Sequence, residues 1–246
     1  MRRVAQIWRH PIKGIGAEPL DSAAFLPERP LPGDRAWAML TGQAQDTGAW
    51  QSCRNFARGC YGPQLMAITA RTLEDGRIHL SHPTAGEIEV DPARDGAALS
   101  AWLAALWPAE RPALGALIAA PAEGMSDANY ACVSILGRAS LGALSEACGT
   151  PLDPRRFRGN IWLSGLEPWE ELDWPGRRIR LGDVELDVVE RITRCRATQV
   201  NPETGQDDVQ TLRTLRRTWG HVDFGVKAKV VTPGTIATDA PVEVLL

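Results

Sequence analysis

Short runs of strand-forming residues, broken by glycine, proline, aspartate or asparagine, recur along the whole chain. Apolar residues at helical spacing are confined to a few segments. Many short strands with few helices predict a mainly β fold, a β-barrel-like or curled sheet with peripheral helices. The predicted strands span residues 4–8, 36–40, 65–72, 78–81, 87–90, 131–136, 160–164, 177–181, 184–189, 226–231 and 242–246, and the predicted helices span residues 96–107, 138–148 and 209–219.

The length of 246 residues fits either one large all-β domain or two smaller domains. Residues 108–125 are rich in proline, alanine and glycine, and their apolar residues follow no clear period. Such a shift in composition is typical of a connection between domains. We therefore predict two domains, residues 1–108 and residues 109–246.

The composition argues against several classes of partner and site. The net charge of −3 gives no support for a nucleic-acid partner, although nearly all basic residues are arginine. No apolar stretch is long enough for a signal peptide or a bilayer span, so we expect a cytoplasmic protein without a membrane partner. The five cysteines are odd in number and scattered without a CxxC pair, which indicates neither a disulfide framework nor a zinc site.

One of these cysteines, Cys195, stands in an unusual local sequence. Arg194 and Arg196 lie on either side of it, Arg191 is close behind, and the turn signal 201–205 follows. Positive neighbours favour the thiolate, the form of cysteine that attacks electrophiles or binds soft metals. A free cysteine is also commonly a small buried hydrophobic residue. The local sequence leaves both interpretations open.

Three further segments carry groups suited to an anionic or polar ligand. A lysine on a glycine-containing loop can neutralise an anion, and arginine can make forked contacts to one. Each segment is equally consistent with a solvated turn or a charged surface. The segments are residues 10–16 with Lys13, residues 33–37 with Arg35, and residues 153–161 with Arg158 and Asn160.

The sequence lacks the motifs of several enzyme classes. It contains no GxSxG, no phosphate-binding P-loop, no GxGxxG after a strand and no HExxH. No histidine is adjacent to Cys195 in the sequence. Because a histidine could approach in space, a Cys–His hydrolase stays open at this stage.

Taken together, these segments resemble the MOSC family (molybdenum cofactor sulfurase C-terminal domain), preceded by its usual N-terminal β-barrel partner. The resemblance covers nearly the whole chain, and five motifs in the same order make it specific. The matches are residues 11–13 to "YPIKS", 34–37 to "DRxW", 156–161 to "RFRPNI", 194–205 to "RCxxTTVDPxTG", and 224–226 with 233–236 to the closing strands of the family.

The resemblance implies a role for each matched residue. Residues 1–108 would be the N-terminal β-barrel domain and residues 109–246 the MOSC domain, with the cofactor between them. Cys195 would bind molybdenum held by a pterin dithiolene, since a soft thiolate suits a sulfur-rich metal centre. The implied cofactor contacts are Lys13 and Arg35 at the phosphate or pterin end, Arg158 and Asn160 in the pterin pocket, Thr193 and Arg194 beside the metal, and Ser134 as a polar contact.

Three departures from the family pattern bear on this site, one of which is that Arg196 and Gln199 are less typical neighbours of the cysteine. Gly14 stands where the family often has serine or cysteine, so backbone would replace one side-chain contact to the cofactor. Gly159 replaces the usual proline, which would loosen that turn.

The activity implied by the resemblance is the molybdenum-dependent reduction of N-hydroxylated compounds, such as hydroxylaminopurines and amidoximes. The chain has no ferredoxin-like cysteine cluster and no dinucleotide fingerprint, so a separate reductase would supply the electrons. One alternative is a sulfur carrier or cofactor-handling protein with a persulfide on Cys195. Another is a non-catalytic binding module in which Cys195 is buried and inert.

Overall fold

The structure, a computed structural model, describes residues 1–245 and is built mainly from strands, which confirms the predicted fold class. No helix among these residues has the length and apolar character needed to span a membrane. The strands are β1 Arg3–Arg9, β2 Glu18–Leu20, β3 Ser22–Phe25, β4 Trp37–Thr41, β5 Thr69–Thr72, β6 Ile78–His82, β7 Gly86–Val90, β8 Leu114–Ala119, β9 Val133–Gly137, β10 Ile161–Ser164, β11 Arg178–Leu181, β12 Val184–Thr193, β13 Asp223–Val230, β14 Gly234–Ala237 and β15 Val242–Val244. The helices are α1 Gly96–Ala104, α2 Arg138–Cys148 and α3 Thr211–Trp219, with 3-10 helices at Cys53–Asn55, Pro63–Ala67, Pro154–Phe157, Glu170–Asp173 and Arg196–Gln199.

The largest sheet has eight strands in the order β15-β11-β12-β13-β9-β10-β1-β2. Among the described strands of this sheet, only β9 and β10 pair in parallel, and α2 makes the crossover between them. In β12, Val184, Leu186 and Val188 are buried and alternate with half-buried residues, so the strand turns one face to the core. This sheet carries the main apolar core of the molecule.

The first strand of the chain belongs to this large sheet rather than to the sheets of its own half. β1 pairs antiparallel with β10, where Ile7 lies opposite Ile161. Farther along, β3 pairs with β14. Strands from residues 1–108 are therefore paired with strands from residues 109–246. The division at residue 108 stays a prediction.

A second core lies in the first half, around two small sheets and one helix. β4 pairs with β8, β5 and β7 flank β6, and α1 packs beside β7 and β8. Leu80, Leu99 and Leu103 are fully buried in this core. Ile12, from the loop after β1, is buried with them, so this core anchors the loop that carries Lys13.

An aromatic cluster joins the last segments of the chain. The ring centroids of Phe157 and Phe224 lie 4.2 Å apart in a stacked arrangement, and Trp162 meets Phe157 edge-on at 6.1 Å. α3 packs against this cluster through Leu215, which is fully buried. The cluster thereby fixes the backbone of residues 157 and 224, whose carbonyl oxygens face the site described below.

Two regions of the first half differ from the predictions. The strand predicted over 65–72 begins only at Thr69, because the 3-10 helix Pro63–Ala67 precedes it with proline at its first turn. The last three residues of that helix are buried in succession rather than alternately, which is helical rather than strand burial. The sequence predicts no strand within 108–125, yet β8 lies there and pairs with β4.

We predict that Leu163→Ala lowers the free energy of unfolding by about 2–5 kcal/mol, because it leaves a cavity in a packed core. Leu163 lies in β10 and is fully buried in the main core. Urea denaturation followed by circular dichroism measures the loss.

Leu26→Ala is the matched control, because the same atoms are removed from a side chain that is 57% exposed. Its effect should stay within about 0.5 kcal/mol. Equal losses in the two variants would contradict the assignment of β10 to the core.

Candidate functional site

One cavity brings together residues that lie far apart in the sequence. All eight residues singled out by the sequence line it, although they come from separate segments of the chain. Their roles toward a cofactor stay predictions, but their common location is a finding of the structure. They are Lys13, Arg35, Ser134, Arg158, Asn160, Thr193, Arg194 and Cys195.

Lys13 is held at the cavity wall by the loop that follows β1. Its backbone N–H donates to the carbonyl oxygen of Trp37, and the residue is only 4% exposed. Nζ donates to the carbonyl oxygen of Met125 at 2.8 Å and to the carboxylate of Asp127. Burial lowers the pKa of Lys13 and Asp127 opposes that shift. Lys13 is therefore not a solvated lysine on a turn, and an anion would have to compete with Asp127 for it.

Arg35 and Arg158 connect the two halves of the chain. Arg35 donates to the backbone carbonyl oxygen of Arg158 at 2.9 Å. In return, the guanidinium of Arg158 donates to the carbonyl oxygens of Gly16 at 3.0 Å and Ile12 at 3.3 Å. Arg35 also pairs with the buried carboxylate of Asp34. The loop after β1, the turn before β4 and the turn before β10 are thereby tied to one another.

Asn160 and Ser134 hold each other across the neighbouring strand ends. The Asn160 side-chain oxygen accepts from the N–H of Ser134 at 3.1 Å and from its hydroxyl at 2.9 Å. The Asn160 side-chain amide donates to the carbonyl oxygen of Trp8. Asn160 is buried, so this network fixes the wall of the cavity where β1, β9 and β10 meet.

Arg194 lies beside the stacked rings of Phe157 and Phe224 and lines the cavity. Its guanidinium donates to the carbonyl oxygens of Phe157 and Phe224, each at 2.8 Å, and lies over both rings. Burial, together with the charge of Arg35, lowers the pKa of Arg194 to about 10. Thr193, at the end of β12, is exposed and donates to Asp223 at 2.7 Å.

The cavity has an excess of positive charge. Among residues 1–245, seven cationic side chains line it, against the single carboxylate of Asp127. Four of the cations have a carboxylate partner: Lys13 with Asp127, Arg35 with Asp34, Arg156 with Asp208, and Lys227 with Glu190. The other three, Arg58, Arg158 and Arg194, form no ion pair with any carboxylate of residues 1–245.

This excess of positive charge affects the pKa of Arg158. Burial and the nearby charge of Arg35 lower the pKa of Arg158 to about 9. A buried guanidinium that is bonded only to carbonyl oxygens is destabilised by its own charge. An anion in the cavity would offset that cost.

Cys195 follows the strand β12 and stands at the mouth of the cavity. Its side chain is exposed, which contradicts the alternative of a buried, inert cysteine. The neighbouring thiol of Cys60, a hydrogen-bond donor, lowers the pKa of Cys195 to about 6, although partial burial opposes the shift. The N–H of Ala197 and the charge of Arg194 contribute to the same shift. The same pairing raises the pKa of Cys60.

The main cause of this lowered pKa is not the one that the sequence predicts. Arg196 turns away from the cavity and pairs with Asp207, and Arg191 donates to a backbone carbonyl oxygen in another part of the fold. Arg194 contributes, but less than the thiol of Cys60 does. The prediction is confirmed for Arg194 and wrong for Arg191 and Arg196, because charge next to a residue in sequence need not be next to it in space.

Three lining residues carry no signal in the sequence. Arg58, Cys60 and Asp127 lie in loops that match no known pattern, and only the fold brings them to Cys195. The short run of arginine, glycine and cysteine at residues 58–60 is too common to indicate a site. No histidine lines the cavity within the described part of the chain, so the structure gives no support to a Cys–His hydrolase.

The two glycines that depart from the family pattern have steric explanations. Gly14 has a φ of +75°, and a Cβ there would lie 2.5 Å from the carbonyl oxygen of Ala57. A serine or cysteine at this position would require the backbone to move. At Gly159 a Cβ would lie 2.3 Å from a methyl carbon of Leu136, so close packing, rather than a loosened turn, accounts for this glycine.

Each half of the chain matches a known protein family model. Residues 123–243 match the family model described as MOSC domain, and residues 1–113 match that described as MOSC N-terminal beta barrel domain. The human protein named mitochondrial amidoxime-reducing component 1 is 25% identical over 281 residues, which cover 98% of this chain and 82% of that protein.

Two other similarities are shorter or more distant. The Anopheles gambiae protein named molybdenum cofactor sulfurase is 36% identical over 72 residues, 29% of this chain, and the match spans only 9% of its length. The solved structure of the YUAD protein from Bacillus subtilis covers 99% of this chain and 96% of its own, with 14% identity and a TM-score of 0.49.

We predict that Gly14→Ala destabilises the protein more than Gly48→Ala does. Both glycines have a positive φ, but a Cβ at Gly48 would have no neighbouring atom within 4 Å. The left-handed backbone alone should cost about 1–2 kcal/mol at Gly48. At Gly14 the overlap with the backbone of Ala57 adds to that cost. Urea denaturation of the two variants measures the difference in their free energies of unfolding. Equal losses of stability would contradict the prediction, because they would show that the loop moves to accommodate the Cβ at little cost.

We also predict that Cys195 of the cofactor-free protein is alkylated with a pH midpoint below about 8.5, the ordinary thiol value. Cys60→Ala should raise this midpoint, because it removes the neighbouring thiol that lowers the pKa of Cys195. The rate of reaction with iodoacetamide, followed by mass spectrometry of the Cys195 peptide, measures the midpoint.

Cys148→Ala serves as the control, since Cys148 lies at the end of α2 and does not line the cavity. It should leave the midpoint unchanged. The stated cause is wrong if Cys60→Ala also leaves it unchanged.

Proposed function

The chain belongs to the MOSC family, with a MOSC domain behind a MOSC N-terminal β-barrel domain, and on that premise we propose that it is a molybdenum cofactor-dependent reductase of N-hydroxylated compounds. One observation carries the proposal. The exposed thiol of Cys195 shares a cavity with Arg58, Arg158 and Arg194, three guanidiniums that have no carboxylate partner among residues 1–245. Such a cavity suits a ligand with a soft metal at one end and an anionic group at the other.

The residues present fit a molybdenum-bearing pterin on a further ground. The Nε atoms of Arg58 and Arg156 are buried and have no hydrogen-bond partner in the described structure. Buried donors are nearly always satisfied in a complete site, so these two atoms indicate a missing acceptor. A phosphate, or the carbonyl and ring nitrogen atoms of a pterin, would provide such acceptors.

In the proposed site each residue has a separate task. Cys195 would be the protein's ligand to the metal, and its lowered pKa keeps the thiolate available near neutral pH. Arg58, Arg158 and Arg194 would neutralise the anionic end of the cofactor. Asn160, fixed by Ser134, would hold the wall against which the cofactor lies. Lys13 and Arg35, whose charges are already balanced by carboxylates, would orient the loops more than they bind the anion.

The chemistry itself would come from the bound group. The molybdenum cofactor supplies a two-electron reduction in which the N–O bond of the substrate breaks and the oxygen leaves as water. The protein would orient the substrate at the open mouth beside Thr193 and Cys195, both of which are exposed. A separate reductase would deliver the electrons, since the sequence has neither a ferredoxin-like cluster nor a dinucleotide fingerprint. The name of the human relative, an amidoxime-reducing component, supports this substrate class.

A second candidate is a sulfur carrier that handles the cofactor. The exposure of Cys195 favours it, because an accessible thiolate can take sulfane sulfur from a persulfide donor, which is left as a thiol. The similarity to a molybdenum cofactor sulfurase, over a small part of that protein, supports the same interpretation. In this case Cys195 would carry sulfur without turning over an N-hydroxylated substrate.

We predict that protein made in a host that synthesises the cofactor contains molybdenum and pterin, and that Cys195→Ser loses most of the molybdenum because its soft metal ligand is gone. Elemental analysis measures the metal, and fluorescence of the oxidised pterin measures the organic part. Circular dichroism confirms that the variant is folded.

Cys148→Ser is the control and should keep its molybdenum, because Cys148 does not line the cavity. Full molybdenum content in Cys195→Ser would overturn the proposal. Turnover is then tested with benzamidoxime and a chemically reduced viologen dye, which removes the need for the partner reductase. Metal-loaded protein that shows no turnover, but carries a persulfide on Cys195 in mass spectra, would favour the sulfur carrier.

A further inference from the structure

Besides Cys195, the cavity is lined by two cysteines that neither the proposed reaction nor the family resemblance uses, the buried Cys132 and the half-buried Cys60. Cys60 lies in a turn, residues 58–62, in which the N–H groups of Tyr61 and Gly62 both donate to the carbonyl oxygen of Arg58. It lines the same cavity as Cys195, and each thiol shifts the pKa of the other. The first half of the chain supplies one thiol and the second half supplies the other.

The segments that carry the two cysteines are packed together, and this does not depend on the thiols. A Cβ on Gly59 would lie 3.6 Å from the Cβ of Ala197. Farther along the two segments, the side chain of Gln64 donates to the carbonyl oxygen of Gly205 at 3.0 Å. Cys60 and Cys195 thus lie on adjoining segments of one interface and line the same cavity.

The two thiols differ in access to solvent. Cys195 is exposed, whereas Cys60 is half-buried behind it. A small oxidant entering the cavity mouth meets Cys195 first and finds Cys60 next to it. This order is that of an attacking and a resolving cysteine in redox-sensitive proteins.

We propose that Cys60 and Cys195 are a redox modification site, which a hydroperoxide converts into a reversible intramolecular disulfide. In the first step the Cys195 thiolate attacks the terminal oxygen of hydrogen peroxide, the O–O bond breaks, and the departing hydroxide takes up a proton to become water. In the second step the sulfur of Cys60 attacks the Cys195 sulfenic acid, the S–O bond breaks, and a second water leaves with the Cys60 proton. Two thiols are oxidised and one peroxide is reduced to two waters.

The bond would have a consequence for the cavity. Cys195 in a disulfide has no thiolate to offer, so it can bind neither a soft metal nor an electrophile. A thiol reductant that cleaves the disulfide restores both groups. The disulfide itself does not depend on the proposed reductase function, whereas its control of cofactor loading rests on that function.

The experiment uses cofactor-free protein treated with a small excess of hydrogen peroxide. We expect the number of thiols that react with Ellman's reagent in denaturant to fall from five to three, since one bond consumes two of the five cysteines. Peptide mapping without reduction should show the peptides of Cys60 and Cys195 joined. Dithiothreitol should restore five thiols and the alkylation of Cys195 by iodoacetamide.

Two variants separate this pair from other cysteines. In Cys60→Ser, Cys195 should form a sulfenic acid that dimedone traps, and no cross-linked peptide should appear. Cys53→Ser should still form the cross-link, although Arg58 donates to the sulfur of Cys53 at 2.9 Å and places that thiol nearby. A bond between Cys53 and Cys60 in the native protein would overturn the proposal, as would accumulation of dimedone-trapped Cys195 while Cys60 stays a thiol.

The experiments distinguish failure of the redox site from failure of the proposed reductase function. If the disulfide forms but the protein contains no molybdenum when made in a competent host, the redox site stands and the reductase proposal fails. If molybdenum is present and no cross-link forms after the metal has been removed, the reductase proposal stands and the redox site fails.

Discussion

The site depends on one reciprocal contact, in which two arginines join segments that are far apart in the sequence. Arg158 reaches to the carbonyl oxygens of Ile12 and Gly16, and Arg35 reaches back to the carbonyl oxygen of Arg158. Neither link uses a carboxylate of the other half, so the contact joins the halves without cancelling the charge of Arg158. The cavity therefore keeps a positive potential directed at whatever fills it.

The backbone conformation of these two arginines also indicates that the surrounding structure holds them in place. Arg35 has a φ of 49° and Arg158 a φ of 47°, both in the left-handed region that non-glycine residues seldom adopt. Each such residue costs about 1–3 kcal/mol and persists only when its surroundings hold it there. The N–H of Arg35 donates to the carbonyl oxygen of His10 at 2.6 Å, and that of Arg158 to the carbonyl oxygen of Arg155 at 3.1 Å, which provides that support. Strain of this kind is concentrated where a molecule positions groups for binding.

The short runs of strand-forming residues predicted many of the strands. The family motifs and their order predicted that the eight site residues lie together. Both signals can be read directly from the sequence. The boundaries of α2, at Arg138 and Cys148, were predicted correctly. The sequence did not predict β8, because the segment is rich in proline, alanine and glycine and its strand is defined by its pairing with β4. The contact of Cys60 with Cys195 could not be predicted, because it results from the packing of two loops with no shared local signal. The same reason explains why Arg196, adjacent to Cys195 in the sequence, does not line the cavity.

The pairing of β1 with β10 also affects how the chain can reach its native state. β1 can pair with β2 soon after both are made, but its other partner, β10, follows only about 150 residues later, and β9, beyond β10 in the sheet, pairs in turn with β13. Contacts between such distant segments form slowly, because a long loop must close before the contacts can stabilise the chain. The apolar face of β1 must therefore wait, exposed, until most of the polypeptide has been synthesised. During that interval the nascent chain is open to aggregation or chaperone binding.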